Sequence, residues 1–170
     1  MIYSESRPDT DILNDLEEAQ RVYILGCPAC ANMSLNIQKA EETTPVLSIT
    51  PTGLKAVSMK EETDRLTQLI SNKGLDANSW VGKYPIVALC VMDKRARKGI
   101  SKKCQDFDTV ITMCCEAGKK SIEGILPGKR VIAGMNAKGI VDAVIKSKMV
   151  FAKLYIDKST VNVSRFTFDA

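Results

Sequence analysis

The stretch Arg21-Val-Tyr-Ile-Leu-Gly-Cys-Pro-Ala-Cys30 constrains this chain more than any other. Its apolar run is too short for a helix, Val22, Tyr23 and Ile24 favour extended backbone, and Gly26 permits a sharp exit. It therefore reads as a buried strand that delivers the thiols of a C-x-x-C pair to the turn at its C-terminal end. Two later apolar segments, Tyr84-Pro-Ile-Val-Ala-Leu-Cys90 and Thr109-Val-Ile-Thr-Met-Cys-Cys115, end in the same way.

The length of 170 residues suits one domain with a real hydrophobic core and is too short for two independent ones. No apolar run is long enough to span a bilayer, and Met1-Ile-Tyr-Ser-Glu-Ser-Arg-Pro8 lacks the basic and apolar regions of a signal peptide, so a cytoplasmic protein is expected. In that reducing setting the six cysteines point to metal binding or redox chemistry rather than to structural disulfides. The chain has no histidine. That excludes Cys2His2 and Cys3His zinc sites, the usual neutral-pH general base, and every Cys-His or Ser-His-Asp arrangement. A metal here must be held by thiolates, which suit zinc or an iron–sulfur cluster.

Along the chain, helix signals alternate with strand signals. Asp9 or Thr10 caps a helix running to Ala19, and the strand from Arg21 follows it. Ala31 to Ala40 has weak helical character with no clean apolar face. Thr44–Thr50 reads as a second strand closed by Pro51-Thr-Gly53, and Lys60–Ile70 as a helix ended by Asn72-Lys-Gly74. Tyr84–Cys90 is the third strand, apolar as a strand buried on both faces should be. Asp93 to about Cys104 is a helix with six basic residues. Thr109–Cys115 is the fourth strand, Glu116 to Ile125 a short helix, and Lys129–Asn136 the fifth strand. Two alternating segments, Met149–Ile156 and Thr160–Phe168 around Asp157-Lys-Ser159, read as a β-hairpin. The expected fold is α/β, a mainly parallel sheet of about five strands with flanking helices, plus a C-terminal β-hairpin. Residues 1–147 would form the cysteine-site domain, and residues 148–170 a hairpin appended to it.

All strands of a parallel sheet end on one side, where such folds build their sites. Cys27, Cys30, Cys90 and Cys115 fall at expected C-terminal strand ends and are the candidate metal ligands. Cys114 is the alternative to Cys115, since neighbours in a strand point to opposite faces unless the turn has begun. Cys104 is expected to be a small apolar residue packed on the sheet. Three readings of the first pair stay open: metal or cluster ligation, a thioredoxin-type redox pair, and a structural accident. The basic run from Lys94 to Lys103 suits an acidic partner or an anionic cofactor, or is a solvated helix face. No G-x-G-x-x-G or G-x-x-x-x-G-K-[ST] motif supports a nucleotide site.

On these residues the chain resembles the small MetV-type proteins, also described as the C-terminal zinc-binding domain of methylenetetrahydrofolate reductase. The resemblance rests on the opening Met1–Pro8, on Arg21–Cys30, on Asp108-Thr-Val-Ile-Thr-Met-Cys-Cys-Glu-Ala-Gly118 and on Arg130-Val-Ile-Ala-Gly-Met-Asn136, and covers about residues 1–140. It implies ligand positions at Cys27, Cys30, Cys90 and Cys115, and an iron–sulfur cluster (4Fe-4S) or Zn2+. It also implies a methylenetetrahydrofolate reductase-type catalytic subunit or a corrinoid/methyl-transfer protein as partner, with neither nucleic acid nor membrane. Two positions depart from the family pattern: Ser34 stands where a further cysteine is common, and Glu116 where Gly is usual.

The expected function is a metal-binding accessory protein carrying a Cys-ligated cluster for electron transfer, more a non-catalytic subunit than an enzyme. The alternatives are a structural zinc protein that docks a partner and a stand-alone C-x-x-C thiol oxidoreductase.

Overall fold

Val22, Ile24 and Leu25 are fully excluded from solvent because their strand, β2 (Arg21–Gly26), has a neighbour on each side. It pairs in parallel with β5 (Asp76–Val81) and with β6 (Thr109–Met113), and β6 pairs in parallel with β7 (Arg130–Ala133). The resulting four-stranded sheet has the order β5-β2-β6-β7. The computed structural model describes residues 1–39, 45–51, 53–83, 88–148 and 153–167. Among them, no helix is long and apolar enough to cross a membrane.

A second sheet corrects the expected fold class. β1 (Ile2–Ser6), β3 (Leu47–Thr50), β4 (Gly53–Ala56), β8 (Met135–Lys148) and β9 (Lys153–Arg165) form a separate five-stranded antiparallel sheet in the order β1-β8-β9-β3-β4. The architecture is thus a mixed α/β fold with two sheets, not one mainly parallel sheet carrying an appended hairpin. The expected second strand belongs to the antiparallel sheet, where β3 turns directly into β4. The expected fifth strand is two strands in two sheets, divided at Gly134. Of the expected third strand, residues 84–87 lie outside the described residues, and Ala88 to Val91 form a turn closed by an antiparallel bridge.

The expected C-terminal hairpin is overturned: the described parts of its two segments belong to one strand, β9, which pairs antiparallel with β8. Lys148 is the register partner of Lys153, and residues 149–152 lie outside the described residues. The Asp157-Lys-Ser159 signal is spent inside β9. The Asp157 carboxylate accepts from the Ser159 backbone N–H and hydroxyl, and the Thr160 hydroxyl donates to the Asp157 carbonyl. This local turn sits where the β8–β9 register shifts, between Asp142 and Val144. Turn chemistry inside a paired strand makes a bulge instead of a hairpin end.

The two sheets meet where the chain passes from β7 to β8. The Arg7 backbone N–H donates to the Gly134 carbonyl, and the Arg7 guanidinium donates to the Ala133 carbonyl at 2.9 Å and to Asp15 at 2.8 Å. A Cβ on Gly134 would stand 2.3 Å from the Met113 sulfur, so the crossing requires glycine. Buried residues from both sheets, among them Ile24, Ile111, Leu47 and Ile156, belong to one apolar cluster.

Helix α2 (Cys30–Gln38) has no apolar stripe because its buried face is polar. The Asn32 side chain donates to the Val46 carbonyl at 2.8 Å and accepts from the Met59 N–H at 2.9 Å. The Ser34 hydroxyl accepts from the Ser4 N–H at 3.1 Å, and Asn36 donates to the Ser58 hydroxyl. Buried polar groups are tolerated because each finds a partner. These bonds hold α2 against β1 and against α3 (Val57–Ser71). On the other side of the chain's path, α4 (Lys94–Lys103) contacts α5 (Glu116–Ile125), while α1 (Asp9–Asn14) is a shorter helix than its signal suggested.

Candidate metal centre

The strand order of the parallel sheet decides where a site can form. From β2 the chain crosses to β5 on one side, then returns past β2 to β6 and continues outward to β7. The direction of winding therefore reverses between β2 and β6. At such a point the following loops diverge and leave a crevice beyond the carboxyl ends of the strands, which is where open α/β sheets bind ligands. Cys27 directly follows β2, and Cys114 and Cys115 directly follow β6.

Backbone bonds fix these thiols in place. The Cys27 N–H donates to the Met113 carbonyl at 3.0 Å, locking the ends of β2 and β6 together. The N–H groups of Leu89 and Ala29 are directed at the Cys27 sulfur. Leu89 is fully buried, so it anchors the Ala88–Val91 turn while Cys90 stays exposed at the surface of the centre. Cys30 is the first residue of α2, and Cys115 is the N-cap of α5. Two helix N-termini thus bring thiols to the crevice.

The electrostatics show which cysteines come together. Burial pushes the Cys27 thiol up to about 11, with Cys90 and Cys115 adding to the rise. Burial also raises Cys90, reinforced by Cys115 and Cys30. Cys114 is raised most strongly, by burial first and then by Cys27, Cys115 and Cys90. Five thiols from three separate segments therefore occupy one neighbourhood. Cys104 does not share it: it is buried at the end of α4, raised to about 11 by burial, with Lys129 and Lys103 opposing.

Cys114 is the thiol whose place the sequence left open. Strand β6 ends at Met113, so the turn has begun at Cys114 and strand alternation no longer separates it from Cys115. Cys114 lies under α5, where a Cβ on Gly118 would be 2.8 Å from its sulfur. Gly118 is thus what lets α5 close over the centre. Ser34 and Glu116 each have a local role. The Ser34 hydroxyl bonds to the Ser4 N–H and the Cys30 carbonyl, a structural task at the base of the site. The Glu116 side chain is largely exposed beside Lys119 and brings no carboxylate into the crevice.

The donor set is soft, anionic when ionised, and free of competing carboxylates, which fits thiophilic metals. Among the described residues, however, no three Cys, Asp or Glu side chains are drawn in around a single ion. Neither the Leu89 and Ala29 donors nor the closeness of Gly118 has a sequence signal, because both depend on segments that meet only in the folded chain. No family model, curated protein or solved structure matches this chain, so the reading of its thiol centre rests on the residues themselves.

Proposed function

We propose that this chain is a metal-binding accessory protein whose cysteine centre holds an iron–sulfur cluster for electron transfer within a methylenetetrahydrofolate reductase-type or methyl-transfer complex. The observation that carries the reading is the gathering of Cys27, Cys30, Cys90, Cys114 and Cys115 at the reversal point of the parallel sheet. Cys27, Cys30, Cys90 and Cys115, or Cys114 in place of Cys115, would ligate the group, and its chemistry when bound is the uptake and release of single electrons. An all-thiolate donor set suits an iron–sulfur cluster, with a structural zinc ion as the second reading.

The chain's own residues set the environment of such a group. The N–H groups of Leu89 and Ala29 stabilise negative charge on the Cys27 sulfur, and bonds of this kind tune the potential of a thiolate-held cluster. Cys90 is the exposed corner and the shortest way to a partner surface. Protein isolated without oxygen is expected to be brown and to contain iron and acid-labile sulfide. Colourless protein with stoichiometric zinc would favour the structural zinc reading, and fully stable metal-free protein would overturn metal binding altogether.

Helix α4 starts shortly after Cys90, and its six basic side chains are exposed and form no ion pair among the described residues. We assign it the docking of an acidic partner surface beside the centre. Reversing Lys94, Arg95, Arg97 and Lys98 to Glu is expected to weaken co-purification with a reductase-type subunit while leaving the metal content unchanged. The wild-type association should weaken with salt, because exposed charges are screened over about 8–10 Å near physiological ionic strength. Equal binding by the reversed variant at low salt would make α4 an ordinary solvated face.

A further inference from the structure

A cavity of about 410 Å3 opens between the β3–β4 hairpin and the end of β5, at the same sheet edge as the thiol centre. Leu54, Ala56, Trp80 and Val81 contribute apolar walls, and Lys55, Lys60 and Lys83 also line it. Among the described residues no carboxylate lines it. Lys60 is already paired with Asp64, but Lys55 and Lys83 form no ion pair among the described residues. The volume lies within the range of about 300–1,000 Å3 found for small-molecule sites, which are mostly apolar with a few placed polar groups.

Trp80 is set between this cavity and a second one of about 360 Å3 on the side of α4. There the Lys103 ammonium lies 5.8 Å from the centre of the indole ring, and Ile100 and Arg95 share the lining. That contact holds a flat aromatic wall in place for whatever enters the first cavity. The position is close to the centre along the sheet: Val81 is the register partner of Gly26, and the Gly82 N–H donates to the Gly26 carbonyl at 3.1 Å, one residue before Cys27.

We propose that this cavity binds a planar organic anion, its ring against Trp80 and its charge between Lys55 and Lys83. The apolar walls and indole select for a flat conjugated body, while two ammonium groups that form no ion pair among the described residues select for negative charge. A neutral ring would leave the lysines unused, and a simple inorganic anion would leave the apolar walls wet. The site does not depend on what the cysteines hold, so its success or failure is read separately from the metal.

Trp80 is the only tryptophan in the chain, so its fluorescence reports this cavity directly. The full chain would be titrated with 2-naphthoate and, in parallel, with neutral 2-naphthamide and with inorganic phosphate, by calorimetry and by Trp80 emission. The expected result is saturable binding of one equivalent of 2-naphthoate that changes the Trp80 signal, with the amide and phosphate each at least about tenfold weaker. The Lys55→Glu/Lys83→Glu variant, altered only at exposed side chains, should lose at least about tenfold in naphthoate affinity, whereas Cys27→Ser should bind it normally. Absence of saturation, equal affinity for the amide, or an unchanged affinity in the lysine variant would each overturn the proposal.

Discussion

Replacing Cys27 with Ser is expected to weaken metal binding by more than about 100-fold, since the loss of even an outer partner of a metal ligand costs about 10–100-fold. Cys27 is the central thiol: its N–H is tied to β6, its sulfur receives two backbone donors, and it interacts with both Cys90 and Cys115. The variant should also lose the stabilisation that a bound metal provides, about 2.7 kcal/mol when the metal is present at 100 times its dissociation constant. Cys104→Ser is the matched control. It should keep the metal while losing about 1–3 kcal/mol of stability, because it buries a hydroxyl in an apolar site. Metal analysis and thermal unfolding of the two variants side by side make the comparison. Full metal content in Cys27→Ser, or its loss in Cys104→Ser, would contradict the assignment of the centre.

Asn32→Ala is expected to destabilise the chain by about 2–4 kcal/mol, among the largest effects of any single substitution away from the cysteines. The amide joins three elements at once, bonding the Val46 carbonyl ahead of β3 and the Met59 N–H in the first turn of α3 from its own place in α2. Its removal strands a buried donor at the start of α3, where no preceding turn supplies an acceptor. For a chain of this size the change corresponds to a fall in Tm of roughly 5–15 °C. Denaturant unfolding of Asn32→Ala beside an exposed control, Asn14→Ala, checks it. A difference under about 0.5 kcal/mol between the two would show that the polar face of α2 does not hold the sheets together. Because α2 begins at Cys30, a loosened α2 should also release metal more readily.

What the sequence determined by itself was local. The apolar runs of β2 and β6 and the helices α3, α4 and α5 follow from short-range signals: β-branched residues, helical spacing and breakers such as Asn72-Lys-Gly74 and Pro127-Gly128. The missing histidine restricted any metal to thiolates before the fold was known. Placing Cys27 and Cys115 beyond buried strands needed only the ends of those strands. The edge strand β5, Asp76-Ala-Asn-Ser-Trp-Val81, was not legible, because a half-covered strand carries polar residues that dilute the apolar signal. Nor was β1, whose buried residues include the polar Ser4, its backbone N–H bonded to the Ser34 hydroxyl.

Only the tertiary structure decided the assignment of strands to sheets. Gly134 lets one apolar run serve two sheets, and this depends on Met113 pressing against it from a neighbouring strand. The Asp157-Lys-Ser159 turn became a bulge because β8 pairs with β9 on both sides of it, and the summed ladder outweighs one local reversal. The fifth thiol followed the same logic. Whether Cys114 joins the centre depends on where β6 stops and how closely α5 approaches at Gly118, distances set by packing between segments that sequence spacing cannot measure.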